Sequence, residues 1–344
     1  MYSVALFRTA GVGDVVLATV AIDMIRQAEP LAEIHWFGRK NMLELVQHSF
    51  PFVHTHEIAS DQSFQEHRRI IKEAATSYDV VIDLQKSLRT FLLGRWTAIH
   101  FHCPYFSWKK QSFQRTILVW QSRIRGRNSS LELFPGDLPN RYRAFADCVS
   151  FALQKMGKDI DPARFTPSIP LISSKKRSIA LCLGSSYPAK ELPLYKTEEI
   201  LRYIRDEELA DEVYFLGDGN KYTEAQALAD KYPGKGLYHN LCGKTSLAEA
   251  GLILASAMFS MGNDSGLAHL SESVGTPALV FFGPTDERYG YRLHHAQSRI
   301  FSVTLGCRPC TKDGNAVCHY QDFKCFNAIP LEPVFEHMNL LCKA

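Results

Sequence analysis

Three short segments combine residue types that handle phosphate. The first is Thr9-Ala10-Gly11-Val12-Gly13-Asp14, directly after an apolar run. A glycine-rich turn between strand and helix presents backbone N–H groups to an anion. The third glycine of a dinucleotide fingerprint would fall near Val16 and is missing, and no phosphate-loop Lys-Ser/Thr pair follows. Asp14 closes the turn. A carboxylate at the carboxyl edge of an open α/β sheet suits a general base, and the same residue type suits an N-cap. The second segment is Asn263-Asp264-Ser265-Gly266, followed by Leu267-Ala268-His269-Leu270. Free N–H groups at a helix start, with the helix dipole, favour a diphosphate. Ser265 and His269 can donate to it, whereas Asp264 orients the loop or accepts from a sugar hydroxyl. A capped structural helix with a core histidine has the same spacing. The third is Gly184-Ser185-Ser186-Tyr187-Pro188-Ala189-Lys190, whose hydroxyls and lysine suit a diphosphate leaving group.

The elements that position these segments follow from periodicity. Apolar strands are expected at Val4–Phe7, Ile34–Phe37 and Val80–Leu84, with helices at Val15–Gln27 and Met42–Gln47 between them. Strands apolar throughout and separated by helices imply a parallel sheet covered on both faces. Pro162, Pro167 and Pro170, followed by Ser173-Ser174-Lys175-Lys176-Arg177, read as a linker. The alternation then restarts, with strands expected at Ile179–Leu183, Val213–Leu216, Ala257–Met261 and Ala278–Phe282. Helices are expected at Glu198–Arg205, Tyr222–Lys231, Leu247–Ala255 and Leu267–Val274. The expected division is residues 1–170, residues 171–330, and a helix within 331–344 that packs back on the body. A chain of 344 residues with 46% hydrophobic content is long enough for two cores.

Charge and cysteine add two further patterns. Net charge is only +3, yet no Asp or Glu occurs from Leu84 to Leu131. That stretch carries Arg89, Lys109, Lys110, Arg123, Arg125 and Arg127, interleaved with Phe106, Trp108, Phe113 and Trp120. Such a block marks a solvated face or an anion-binding surface. The small net charge disfavours single-stranded nucleic acid as the partner. Cys307, Cys310, Cys318 and Cys325 are spaced so that a structural zinc site is one reading and free thiols packing a loop another. No apolar run reaches the roughly 18 residues of a membrane span, and no secretory leader is evident, so a cytoplasmic location is expected.

In their order, these segments resemble glycosyltransferase family 9, the lipopolysaccharide heptosyltransferases. The resemblance rests on Gly13-Asp14-Val15-Val16-Leu17-Ala18-Thr19-Val20-Ala21-Ile22 near the start. It rests also on Lys244-Thr245-Ser246-Leu247, then Asp264 through Leu270, then Gly275-Thr276-Pro277 and Phe282-Gly283-Pro284-Thr285. It implies two Rossmann-like doubly wound domains facing a cleft, the GT-B type of glycosyltransferase fold. It implies an inverting transferase that moves heptose from ADP-heptose to inner-core lipopolysaccharide without a cofactor for catalysis. Asp14 would be the general base, and Lys190 would neutralise the leaving diphosphate. Gly13, Ser185, Ser186, Thr245, Asp264, Ser265, Gly266 and His269 would line the donor site, with Asp218 or Glu224 on the ribose. Leu192 stands where the family commonly has Trp. The six cations of the basic stretch would meet an anionic glycolipid acceptor, with peripheral contact at the cytoplasmic face of the inner membrane. The alternative is a transferase or sugar-nucleotide binder with another donor or a protein acceptor.

Overall fold

The first strand, β1 (Ser3–Phe7), is buried along its whole length, as the centre of a sheet covered on both faces requires. Around it run β2 (Glu33–Gly38), β3 (Val53–Glu57), β4 (Val80–Asp83) and β5 (Tyr105–Ser107) in the order β3-β2-β1-β4-β5. Every pairing is parallel. The connections are α1 (Val12–Ala18), α2 (Val20–Ala28), α3 (Lys40–Ser49), α4 (Phe64–Ala74) and α5 (Leu88–Phe101); α6 (Ser112–Arg125) and α7 (Arg141–Lys155) follow. The second sheet contains β6 (Ser178–Cys182), β7 (Glu212–Leu216), β8 (Leu237–Asn240), β9 (Phe259–Asn263), β10 (Ala278–Phe281) and β11 (Arg299–Phe301). Its order is β11-β10-β9-β6-β7-β8, again all parallel. Its helices are α8 (Leu194–Asp206), α9 (Tyr222–Lys231), α10 (Leu247–Ser256), α11 (Gly266–Ser273), α12 (Lys324–Asn327) and α13 (Glu332–Lys343). Strand order reverses beside β1 in the first sheet and beside β6 in the second. Those are the points where open α/β sheets bind ligands, at the carboxyl ends of the strands.

This computed structural model describes residues 2–126, 137–232 and 237–343. The described residues form two units. The first takes those up to Lys110, Pro139–Pro170 and Ser246–Ala248, and the second takes the rest. Residues 111–126 and 137–138, expected within the first domain, therefore group with the second. The reason is local: Leu118 and Val119 of α6 pack on buried Tyr289. Arg115 donates to the Tyr289 carbonyl at 2.8 Å, and the Ser122 hydroxyl donates to the Pro309 carbonyl. Helix α13 buries Val334, Met338 and Leu341 in the core of the second unit. Among the described residues no helix is long and apolar enough to cross a membrane.

Two departures from periodicity bear on function. The single helix expected over Val15–Gln27 starts at Val12 and divides at Thr19. The Thr19 hydroxyl and amide both donate to the Val16 carbonyl, at 2.7 and 3.1 Å, tightening one turn. Gly11, at φ 84°, takes the N-cap. Asp14 is thus inside the first turn and does not cap the helix. Strand β9 also runs through Gly262 to Asn263, beyond the expected end at Met261. Only glycine fits there, because a Cβ would stand 2.3 Å from the Cys182 carbonyl oxygen on β6.

Strand β3 escaped the sequence reading because His54, Thr55 and His56 break its apolar pattern. The two histidine rings stack against His35 of β2, whose ring lies 5.0 Å from His54 and 5.2 Å from His56. His35 Nδ1 and His56 Nε2 share a hydrogen bond of 3.0 Å. Burial, then the neighbouring imidazoles, lower His35 to about 4, and burial and His54 lower His56 to about 4. A histidine unfolds to an ordinary value near 6.5, so between about pH 6.5 and 4 the unfolded chain binds more protons. Stability contributed by the neutral imidazoles is present above that window and lost as pH falls through it. Thermal melts at pH 7 and pH 5 test this. The wild-type melting temperature should fall on acidification, and a His35→Gln/His56→Gln variant should lose part of that fall; an equal fall in both would refute it.

Candidate functional site

The second unit assembles one group of site residues where β6 and β9 end. Asn263 is buried and does not cap the following helix. Its side chain accepts from the Leu192 amide at 2.7 Å and donates to the Gly184 carbonyl at 3.1 Å. It thereby fastens both ends of the 184–192 segment to the end of β9. Lys190, on the short turn Pro188–Lys190, reaches Asp264 with an Nζ–Oδ2 distance of 2.6 Å, and both side chains are largely buried. The same Asp264 oxygen accepts from the Thr285 hydroxyl at 3.1 Å. Asp264 therefore orients Lys190, joining two segments that the sequence separates by more than seventy positions. Buried Arg308 holds the far side of the turn, donating to the Gly283 carbonyl at 2.6 Å and to the Thr285 carbonyl at 3.0 Å. Gly314, at φ +89°, lies against the Lys190 stem; a Cβ there would come within 2.3 Å of Lys190 Cγ.

Helix α11 starts beside this ion pair. Ser265 is its N-cap residue, yet its hydroxyl makes no cap bond and, although buried, has no hydrogen-bond partner among the described residues. Buried polar groups are nearly always satisfied, so this hydroxyl is open to a further hydrogen-bond partner. Gly266 opens the helix, and His269 is buried one turn on, 5.7 Å from the Tyr291 ring. Glu272 accepts from the His294 and His295 amides at 2.9 Å each, fixing the segment that follows β10. Burial alone would raise its carboxyl, but the bonds to His294 and His295 outweigh it and the net shift is downward.

A pocket opens beside Gly184, Leu192 and Asn263, and Glu224 and Lys221 line it. Lys221 pairs with Glu191 at 2.6 Å and with Glu224 at 2.9 Å. Asp218 is exposed outside that lining. Ser185 folds back on itself through the Tyr187 amide and carbonyl, and Ser186 is exposed. Thr245 is half-buried before α10.

In the first unit, Asp14 and Gly13 lie in the opening turn of α1, at the carboxyl end of β1. Arg8, the residue after β1, is buried and donates to the carbonyls of Leu84 and Ala10 at 2.8 Å each. Its guanidinium also pairs with Asp14 Oδ2 at 2.5 Å. Gln85 accepts from the amides of Thr9 and Ala10 and holds the glycine turn to the end of β4. From α7, Arg141 approaches Asp14 Oδ1 at 3.3 Å. The ammonium of Lys110 is pushed down by desolvation, then by Arg8; Arg141 adds to this, while Asp83 and Asp14 act against it. Sequence reasoning missed Arg8 and Arg141. The only signal for Arg8 was an arginine joined to a buried strand, and nothing in spacing points to Arg141.

The basic stretch does not act as one patch in sequence order. Arg89 donates to the Ala59 and Ser60 carbonyls at 3.2 and 2.8 Å. Lys109 and Lys110 belong with Arg89 in the first unit, while Arg123 and Arg125 lie on α6 of the second; Arg127 lies outside the described residues. Trp108 is core, packed edge-on against Phe145. All nine cysteines are free thiols. Among the described residues, no three His, Cys, Asp or Glu side chains are grouped to hold a metal ion. Cys310 instead bonds through its amide to the Pro284 carbonyl at 3.1 Å, bracing the Gly283–Thr285 turn. Burial is the main reason that the Cys310 thiol is pushed up to about 11 and Cys325 to about 12.

The sequence profile of glycosyltransferase family 9 (heptosyltransferase) matches residues 67–321. Lipopolysaccharide heptosyltransferase 2 of Escherichia coli K12 is 26% identical over 175 residues, 49% of this chain and 48% of that protein. The chain thus aligns with about half the length of that relative. Lipopolysaccharide heptosyltransferase 1 of Campylobacter coli is 22% identical over 293 residues, 82% of this chain and 84% of that protein. Among solved structures, the E. coli ADP-heptose lps heptosyltransferase II aligns with a TM-score of 0.71 at 18% identity, covering 100% of this chain and 99% of the other. That likeness shows the fold, two Rossmann-like units of the GT-B class.

Asn263 offers a direct check on the site's construction. Asn263→Ala removes partners from two backbone groups, at a cost of about 2 kcal/mol, and frees the segment that carries Lys190. Denaturant melts should show that loss, with faster hydrogen exchange at the Leu192 amide. Unchanged exchange there would show that Asn263 does not hold the segment.

Proposed function

The chain belongs to glycosyltransferase family 9, and from that premise we propose that it transfers heptose from ADP-L-glycero-D-manno-heptose to the inner core of lipopolysaccharide. The names of the E. coli and C. coli relatives support donor class and acceptor class alike. One observation carries the donor half: at the start of α11, the buried Ser265 hydroxyl has no partner among the described residues and stands beside the Lys190–Asp264 pair. Helix-start N–H groups, Ser265 and Lys190 form a set that matches a diphosphate. Glu224 suits the donor ribose better than Asp218, because it lines the pocket that Gly184, Leu192 and Asn263 share.

Asp14 takes the proton from the acceptor hydroxyl. The hydroxyl oxygen then bonds to the anomeric carbon from the face opposite the diphosphate, and the carbon–oxygen bond to the diphosphate breaks. ADP departs with the bonding electrons, and Lys190 with the α11 amides stabilises that charge. Inversion at the anomeric carbon follows from the single displacement. The acceptor is an anionic glycolipid, which suits the acid-free stretch carrying Arg89, Lys109 and Lys110. Peripheral contact with an anionic membrane at the cytoplasmic face belongs to this reading. Helix α5 exposes Leu88, Leu92 and Ile99 on one face, with Arg89 and Arg95 also exposed.

The assay is ADP release from ADP-heptose in the presence of heptose-deficient lipopolysaccharide. Wild-type protein should release ADP only when the acceptor is present. Asp14→Asn should fold normally and lose about 10²-fold to 10⁴-fold in kcat. Near-normal turnover by Asp14→Asn would refute the base assignment, and absence of ADP release by wild-type protein would refute the donor and acceptor.

A further inference from the structure

Helix α6 and residues 311–316 line a groove of about 290 Å³ within the second unit, close to the roughly 300 Å³ at which small-molecule pockets begin. From α6 come Thr116, Trp120 and Arg123, whose spacing puts them on one helix face. From the facing segment come Lys312, Asp313 and Asn315. The groove shares no residue with the pocket at Gly184, Leu192 and Asn263. One buried ring holds both walls. Tyr289 packs on Leu118 and Val119 of α6, and its hydroxyl donates to the Thr311 carbonyl at 3.0 Å. The Thr311 hydroxyl then donates to the Asn315 side-chain oxygen at 3.0 Å and accepts from the Gly314 amide at 3.2 Å. Walls fixed before a ligand arrives spare it much of the ordering cost of binding.

The lining matches a sugar that carries negative charge. Trp120 is 58% exposed, whereas Trp36 and Trp108 are buried and Trp96 is half-buried. The electron-rich face of an indole suits the C–H face of a pyranose ring. Arg123 and Lys312 bring two positive charges, and neither forms an ion pair with a described residue. Asp313 is the one carboxylate in the lining. A guanidinium takes a carboxylate or phosphate through two parallel bonds, and an ammonium takes it as a point charge. The other polar groups suit hydroxyls. Thr116 gives its own proton to the Ser112 carbonyl at 2.9 Å, so its oxygen is left to accept. The Asn315 oxygen is taken by Thr311, which leaves the NH₂ group to donate. A bare anion would make no use of the indole, and a neutral sugar would make no use of the cations. The same segment carries Gly314 against the Lys190 stem, so the groove adjoins the turn that bears the donor lysine.

We propose that the groove between α6 and residues 311–316 is a saccharide subsite, which holds a phosphate- or carboxylate-bearing sugar of the acceptor through Trp120, Arg123 and Lys312. That the sugar belongs to the acceptor rests on the proposed function; the fit to an anionic saccharide rests on the groove. No bond is made or broken there, so these side chains act on acceptor affinity. The subsite also gives a role to Arg123, the cation of the acid-free stretch that lies apart from Arg89, Lys109 and Lys110 in the division into units.

The probe is heptose-deficient lipopolysaccharide freed of its acyl chains, a soluble saccharide with phosphates and carboxylates. It should change the tryptophan fluorescence of the wild type saturably, and Trp120→Leu should lose that change. With the acceptor in the ADP-release assay, Trp120→Leu should raise KM by about tenfold, and Arg123→Gln and Lys312→Gln by about threefold to tenfold each. ADP should bind all three variants within about twofold of the wild type. Dephosphorylated and carboxyl-reduced probes identify the anion: the one that binds wild type and Arg123→Gln alike lacks it. The proposal is overturned if the saccharide leaves wild-type fluorescence unchanged, or changes it equally in Trp120→Leu. It is overturned as well if the Trp120 signal comes from ADP alone, which marks a nucleotide site, or from phosphatidylglycerol vesicles and not the saccharide, which marks a lipid-docking face. If wild-type protein releases ADP and the three variants keep its acceptor KM, the subsite falls and the transferase reading stands. If saturable, Trp120-dependent binding occurs but wild-type protein releases no ADP, the transferase reading falls and the saccharide site stands.

Discussion

The Asp264 carboxylate is the constraint on which the second unit's site depends. It accepts from Lys190 at 2.6 Å and from Thr285 at 3.1 Å in a largely buried setting. A buried carboxylate left without partners costs several kcal/mol. Everything that fixes those two donors is therefore under strong physical constraint. Asn263 fastens the segment carrying Lys190, Arg308 and Cys310 brace the turn carrying Thr285, and Gly314 leaves room for the lysine stem. The outcome is a cation held at a helix start, beside a buried hydroxyl with no hydrogen-bond partner among the described residues. In the proposed function, these are the groups that stabilise the leaving diphosphate, assembled in advance of the reaction.

In the first unit the constrained group is the Asp14 carboxylate. In the proposed function Asp14 accepts a proton, and a carboxylate in that role must be held in place. Arg8, locked to two backbone carbonyls, supplies the holding, and Arg141 contributes a second contact. Both sites stand where strand order reverses, beside β1 and beside β6. The parallel sheet thus determines where chemistry is placed, and the turns determine what chemistry it is.

Much of this was legible in sequence because burial on both faces leaves a plain mark. Strands β1, β2, β4, β6, β7 and β10 are apolar runs, and the Asn263–Thr285 stretch announces its strand, turn and helix through its glycines and its capping residues. What escaped did so for physical reasons. Strand β3 replaces apolar residues with stacked histidines, and β5 and β11 are three residues each. Thr19 splits a helix through a hydroxyl bond that periodicity does not register. Asn263 looked like a cap and proved to be a cross-link. Arg141 reaches Asp14 across more than a hundred positions, and α6 joins the second unit through Tyr289, so neither contact leaves a local signal.

The most direct test of the account is the affinity of the intact protein for ADP, measured by calorimetry on the wild type and on Lys190→Met. The account predicts that ADP binds the wild type and that the lysine substitution weakens binding by about tenfold or more, since a charge-assisted contact to phosphate is lost. Equal affinity in the two proteins, with both folded, would contradict the assignment of this turn and helix start to the donor diphosphate.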